Sequence, residues 1–210
     1  MNLVNRLSSL TAHGATWVLW VLVALSVAAL AVVIERAVLF ATSKDDVHRL
    51  RGDLRRLLGR GELDEARRKL QESPSFEARI AVRGLDSETV ESASEHMRGE
   101  TELARLAMER NLTLLGTLGN NAPFIGLLGT VIGIVRAFRE LEGAGGQVSS
   151  GLMSEIGEAL VATAVGLMVA LPAVAFFNLY QRVIRARLGR AEALISEVMA
   201  FRKSPAKAAE

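Results

Sequence analysis

Three long apolar runs interrupt an otherwise charged sequence. Residues 14–34, 111–135 and 159–181 contain no Asp, Glu, Lys or Arg, and these windows are 21, 25 and 23 residues long. A helix needs about 20 mostly apolar residues to cross a bilayer core about 30 Å thick, whereas helices of soluble proteins usually carry a polar face. The pattern predicts an all-α, polytopic membrane protein with transmembrane helices over residues 17–35, 112–138 and 157–180.

The first apolar run has some features of a secretory signal peptide, but it is longer. Signal-peptide cores contain about 7–15 residues and end at a small-residue cleavage site. Here the run from Trp17 to Ile34 is followed by Glu35 and Arg36. We therefore expect an uncleaved membrane anchor.

Basic residues are distributed unevenly around the predicted spans. Twelve Lys and Arg side chains flank the spans within residues 36–110 and after residue 180, and only Arg6, Arg136 and Arg139 flank them on the other side. Because short loops rich in Lys and Arg stay in the cytoplasm, we expect residues 36–110 and 181–210 to be cytoplasmic. The N-terminal segment 1–16 and the short turn 139–156 are then external.

The predicted cytoplasmic loop has helical periodicity. Two short apolar stripes, separated by Gly59 and Gly61, predict a small helical hairpin. The apolar pattern also continues from Glu88 to Arg139 and again after Tyr180. We therefore expect the second and third membrane helices to extend into the cytoplasm as long helices.

Composition excludes several kinds of chemistry. There is no cysteine, and the three histidines, His13, His48 and His96, show no metal-ligand spacing. The net charge of +2 is too small to indicate nucleic-acid binding, and the loop balances fifteen basic with fifteen acidic side chains. With no nucleophile–base pair and no phosphate-binding loop after a strand, we expect no enzyme activity, metal, cofactor or nucleic-acid partner.

Small residues form one face of the second span. Positions 126, 129, 130 and 133 are Gly, Gly, Thr and Gly, at i, i+3, i+4 and i+7 of a helix. Small residues let helix backbones approach closely in lipid, and a proline inside a helix removes a donor and can kink it. We assign helix packing to Gly126, Gly129, Gly133, Gly166, Pro123 and Pro172.

Two threonines and one carboxylate are candidates for a polar function. Thr130 lies six residues before Arg136 and Thr163 five residues after Glu158, so antiparallel helices place both hydroxyls at similar depth. The pair can hold water or bond a partner's acid, or each hydroxyl can bond the carbonyl one turn back. Ionisable groups in membranes tend to mark ion paths, although Glu158 can equally be an interfacial carboxylate in water, as we expect for Glu155.

Two motifs in the second and third spans resemble the signature of the MotA/TolQ/ExbB proton-channel family. They are Ala122-Pro-Phe-Ile-Gly-Leu-Leu-Gly-Thr-Val-Ile-Gly-Ile and Glu158-Ala-Leu-Val-Ala-Thr-Ala-Val-Gly-Leu-Met-Val-Ala-Leu-Pro-Ala. The three-span layout with a large first cytoplasmic loop is similar to ExbB and TolQ rather than to MotA, which has four membrane helices.

The resemblance implies a function that this chain does not complete alone. No Asp, Glu, Lys or His lies inside the second span or in the deeper part of the third. By resemblance, a single-span partner like ExbD, TolR or MotB supplies a membrane Asp, and a homo-pentamer of the larger subunit surrounds two copies of it. Thr130, Thr163 and Glu158 would line the proton pathway of a stator-type subunit in the bacterial inner membrane, with the N-terminus periplasmic and the C-terminus cytoplasmic.

Such a complex uses the proton motive force to energise an envelope process. Outer-membrane uptake, Tol-type envelope maintenance and motility all remain open. A second possibility also remains, a membrane scaffold that binds the single-span partner but conducts nothing.

Overall fold

A computed structural model describes residues 16–143 and 145–204, and this part of the chain is helical without strands. Almost all of the predicted N-terminal segment 1–16, with Arg6 and His13, and the last residues of the predicted C-terminal tail lie outside the described residues. The helices are α1 Thr16–Thr42, α2 Val47–Arg60, α3 Leu63–Gln71, α4 Phe76–Leu85, α5 Val90–Glu109, α6 Leu112–Gly143 and α7 Ser150–Lys203.

Three of these helices, α1, α6 and α7, lie in segments long and apolar enough to cross a membrane. This confirms the predicted all-α class with three membrane helices. The third extends far beyond its apolar run, as predicted: α7 has 54 residues, about 80 Å at about 1.5 Å per residue. The hairpin is also present, as α2 and α3 joined through Gly61 in the left-handed conformation at φ 80°.

The chain divides into two compact units, and the first contains residues 16–34, 111–143 and 145–178. Its core is formed where the start of α1 packs on α6 and α7, and Val18 and Leu22 are fully buried there. Large apolar side chains on the other faces are exposed, for example Trp20 and Phe124. An apolar exterior of this kind suits a lipid environment.

Backbone-to-backbone packing joins α6 to α7 in this unit. A side-chain carbon added at Gly126 would lie 2.7 Å from the carbonyl oxygen of Ala162, and one added at Gly166 would lie 2.7 Å from the carbonyl oxygen of Ala122. Gly129 and Gly133 face Ala162 and Ala159 in the same way. Pro123 and Pro172 both lie inside continuous helices.

The connection between α6 and α7 is shorter than the predicted turn 139–156. The two helices run past the apolar segments and leave only residues 144–149 between them. Polar contacts hold the extra turns: Ser149 Oγ accepts a bond from the Leu152 amide at 3.0 Å and donates to Glu140 Oε1 at 2.8 Å. The start of α7 is therefore set by a side chain that bonds a free main-chain amide, and not by the start of the apolar run.

The second unit contains residues 35–110 and 179–204. Here α2 packs on α3, α3 on α4 and α4 on α5. The last part of α7 buries one stripe, including Ile184, Leu194 and Val198, and Val198 reaches Gly84 of α4. Helix α4 was not predicted from the sequence.

A buried arginine ties three helices of this unit together. Arg187 of α7 donates to the carbonyl oxygens of Phe40 and Ser43, at 2.9 and 3.0 Å, and so caps the C-terminal end of α1. Glu77 of α4, only 2% exposed, lies 3.9 Å from the guanidinium. Burial lowers the pKa of Arg187, and the charge of the nearby Glu77 carboxylate opposes that shift.

One detail of the predicted second helix differs from the structure. The apolar pattern predicts one helix from residue 88 to 139, but α5 ends at Glu109 and α6 begins at Leu112. Asn111 adopts φ 61°, a left-handed conformation that Asn tolerates better than most residues. Arg36 donates to the carbonyl oxygens of Ala107 and Met108, at 2.9 and 3.4 Å, which a continued helix would bond to its own amides.

Candidate functional site

The α6–α7 contact brings Thr130 and Thr163 together. Their hydroxyl oxygens are in hydrogen-bond contact, and both residues are half-buried. Gly126, whose missing side chain allows the close approach, provides a carbonyl oxygen 3.2 Å from Thr163 Oγ1 and 3.4 Å from Thr130 Oγ1. On the other helix, the carbonyl oxygen of Ala159 lies 3.3 Å from Thr130 Oγ1.

The hydrogens of this threonine pair have two complete arrangements. Each hydroxyl carries one hydrogen. In the first arrangement Thr130 donates to Thr163, which donates to the Gly126 carbonyl; in the second, Thr163 donates to Thr130, which donates to the Ala159 carbonyl. Exchange between them reverses the direction of the hydrogen-bond chain without moving either helix.

The carbonyl one turn back, one of the two alternatives left open by the sequence, accounts for only part of these contacts. Thr130 has a long bond to its own helix, through the carbonyl of Gly126, but its other two contacts cross to α7. Thr163 bonds across to α6. Both hydroxyls thus form hydrogen bonds across the helix contact, to each other and to main-chain carbonyls. Neither threonine is fully buried.

Glu158 is placed apart from the threonine pair. Five residues separate it from Thr163, which corresponds to about 140° around the helix and about 7.5 Å along it. Its Oε1 accepts a hydrogen bond from the hydroxyl of Thr16, the first residue of α1, at 2.7 Å. Nothing in the sequence pattern indicated this contact, because the two residues are 142 positions apart.

Glu155 is the charged residue that the sequence interpretation missed. We expected it to be exposed, but only 17% of its side chain is accessible, and it forms an ion pair with Arg136 of α6 at 3.0 Å. Its second oxygen, Oε2, is buried and has no hydrogen-bond partner among the described residues. Residue 155 lies one helical turn before Ala159, which faces α6. That spacing was the sequence signal that Glu155 also faces α6.

The deeper part of the membrane unit contains polar but not ionisable side chains. Apart from the threonine pair, Asn121 lies on α6 and donates to its own helix at the carbonyl of Thr117, at 2.8 Å. Within residues 16–34, 114–135 and 159–178 there is no Asp, Glu, Lys, Arg or His. The site can exchange hydrogen bonds, and these residues supply no ionisable group to it.

Fold and site together define a class of protein: a three-helix membrane subunit whose second and third helices meet at a small-residue contact that holds two hydroxyls. The sequence comparison agrees, since residues 68–193 match the model of the MotA/TolQ/ExbB proton channel family. The chain belongs to this family. Family membership and the three apolar helices make it a multi-pass inner-membrane protein.

Individual relatives match over part of their length. The chain is 45% identical over 76 residues to the biopolymer transport protein ExbB of Xanthomonas campestris pv. campestris, covering 36% of this chain and 30% of that protein. It is 51% identical over 72 residues to ExbB of Neisseria gonorrhoeae, covering 34% and 32%. It is 34% identical over 119 residues to the Tol-Pal system protein TolQ of Pseudomonas aeruginosa, covering 56% and 52%. The chain thus spans about half or less of the length of these relatives.

A solved structure shares the fold. The structure of C. jejuni MotAB matches with a TM-score of 0.60 and 18% sequence identity, over 82% of this chain and 69% of that chain. At this identity the likeness concerns the fold alone.

Proposed function

We propose that this chain is the channel-type, or stator, subunit of an inner-membrane motor complex that uses the proton motive force to energise an envelope process. The observation that carries the proposal is the threonine pair of α6 and α7. It places two half-buried hydroxyls at one level of the α6–α7 contact.

The pair is suited to serve a titrating group on a partner. A hydroxyl is both donor and acceptor, and the two hydrogen arrangements let Thr130 and Thr163 exchange these roles. A protonated acid needs an acceptor and a carboxylate needs a donor, so one pair of hydroxyls can bond both forms. The partner is a single-span subunit of the ExbD, TolR or MotB type that carries a membrane Asp, surrounded by a homo-pentamer of this chain.

Orientation completes the proposal. The N-terminus is periplasmic, residues 36–110 are cytoplasmic, and the turn between α6 and α7 is periplasmic, in line with the basic residues around the spans. Glu158 then lies near the outer ends of the helices, where protons enter. Each proton crossing about 100 mV releases about 2.3 kcal/mol, so a few protons per step can drive a conformational change.

The test is proton flux into vesicles that contain this protein with its single-span partner, identified by co-purification from its own host. We expect uptake that depends on the membrane potential and stops when the partner's Asp is replaced by Asn. If the complex assembles normally and no flux is seen under any gradient, the chain is the non-conducting scaffold instead.

A further inference from the structure

We infer that Thr16 is a positioning residue for the proton pathway, which holds the Glu158 carboxylate at the outer end of α7. This inference rests on the proposed function and adds the first membrane helix to it. The residue concerned has no part in the threonine pair, and the sequence pattern did not identify it.

Buried neighbours fix the backbone at both ends of the Thr16–Glu158 hydrogen bond. Two residues after Thr16, Val18 is fully buried and faces Gly129 of α6. One residue after Glu158, Ala159 is also fully buried and faces Gly133. This helix contact therefore places the hydroxyl of the exposed Thr16 at 2.7 Å from the half-buried Glu158 carboxylate.

The bond is the one polar restraint that the described residues give Glu158. The nearby cation, Arg136, forms an ion pair at 3.0 Å with Glu155, which lies one turn earlier on α7. The described part of α1 before Glu35 contains no ionisable side chain. Among the described residues the two carboxylates at the start of α7 therefore differ: Glu155 forms an ion pair with an arginine, and Glu158 bonds the Thr16 hydroxyl.

This difference divides the roles of the two acids. The ion pair of Glu155 with Arg136 joins α7 to α6 and is suited to fixing the helix ends. Glu158 is not part of that ion pair, and its carboxylate is the one that the proposed pathway uses. Thr16 determines where this carboxylate lies.

The experiment measures flux in vesicles for Thr16→Val and Thr16→Ser, each with wild-type Glu158 and with Glu158→Gln. We expect Thr16→Val to lower flux about tenfold, the size of one lost hydrogen bond to a charged group, and Thr16→Ser to restore most of it. In the Glu158→Gln background, whose flux is itself lowered, Thr16→Val should have no further effect, because the residue acts through that carboxylate.

Thr42→Val is the matched control on the same helix, since the Thr42 hydroxyl donates only to carbonyls of its own helix, at 2.9 and 3.3 Å. It should leave flux unchanged. Wild-type flux in a correctly assembled Thr16→Val complex overturns the inference, as does an equal loss in the Glu158→Gln background. Absence of flux in the wild-type complex itself refutes the proposed function instead, so the two failures are distinguishable.

Discussion

Replacing the two threonines by valine tests the central part of the proposal. Thr130→Val and Thr163→Val keep the shape and branching of the side chain and remove only the hydroxyl. Neither change leaves a stranded group: without Thr130, Thr163 still donates to the Gly126 carbonyl at 3.2 Å, and without Thr163, Thr130 still donates to the Ala159 carbonyl at 3.3 Å.

The expected effect on stability is therefore small. A hydrogen bond between membrane helices contributes on average about 0.6 kcal/mol and at most about 1.7 kcal/mol, and the helix carbonyls that lose a hydroxyl keep their main-chain bonds. The glycine contacts at 126 and 166 are unchanged by either substitution. We expect each variant, and the double variant, to fold and assemble with a loss of about 1 kcal/mol or less.

The expected effect on flux is large and non-additive. Positioned proton-transfer groups contribute about 10²–10⁴-fold, and reversal of the hydrogen-bond chain needs both hydroxyls. Each single variant should lose about 100-fold or more in proton flux, and the double variant should lose little beyond that. Serine at either position should retain partial flux, because it restores the hydroxyl without the methyl group.

The assay is proton uptake into vesicles holding the variant and its partner, together with the cellular process that the complex energises. Wild-type flux in the double valine variant would refute the assignment of the pair to the pathway, and the motifs would then serve packing alone. Additive losses, with each single variant reduced only a few-fold, would contradict the paired mechanism while leaving a polar lining in place.

Further predictions concern topology, assembly and stability. The chain has no cysteine, so a single introduced cysteine is the only labelling site. Ser94→Cys, exposed on α5, should react with membrane-impermeant reagents only from the cytoplasmic side, and Gln147→Cys, exposed in the α6–α7 turn, only from the periplasmic side. The reverse labelling would overturn the orientation. Native mass spectrometry in mild detergent should show a homo-oligomer of five copies, and a folded monomer alone would count against it. Arg67→Ala removes an exposed ion pair and should change the free energy of unfolding by about 0–1 kcal/mol. Arg187→Met leaves a buried carboxylate unpaired and should lower the free energy of unfolding by about 3–5 kcal/mol. Equal losses of stability would show that burial does not explain the difference expected between the two arginines.

Much of the membrane unit follows from local sequence. The apolar runs located the three spans because the bilayer sets a minimum length for an apolar helix. The common depth of Thr130 and Thr163 followed from counting residues to Arg136 and Glu158 along antiparallel helices, and the structure places the two hydroxyls in contact. Periodicity is sufficient here because lipid allows very few backbone conformations.

The features that sequence reasoning missed depend on contacts between distant residues. The break at Asn111 interrupts an apolar pattern that is continuous. Two carbonyls just before the break are bonded by Arg36, more than 70 positions away. Glu155 was expected in water because nothing nearby in sequence showed that Arg136 would approach it. The bond between Thr16 and Glu158 is of the same kind.

The packing of α6 on α7 also bears on the proposed proton path. A single added carbon at Gly126 would come within 2.7 Å of a carbonyl oxygen of α7, so the contact has no room for a methyl group and none for a water molecule. A water-filled path between the two helices is therefore excluded at the level of Gly126. Thr130 and Thr163 are both partly exposed, and in the proposed function a surface of another chain packs against them. Residues 114–135 and 159–178 contain no ionisable side chain, which is why the proposal places the membrane acid on that other chain.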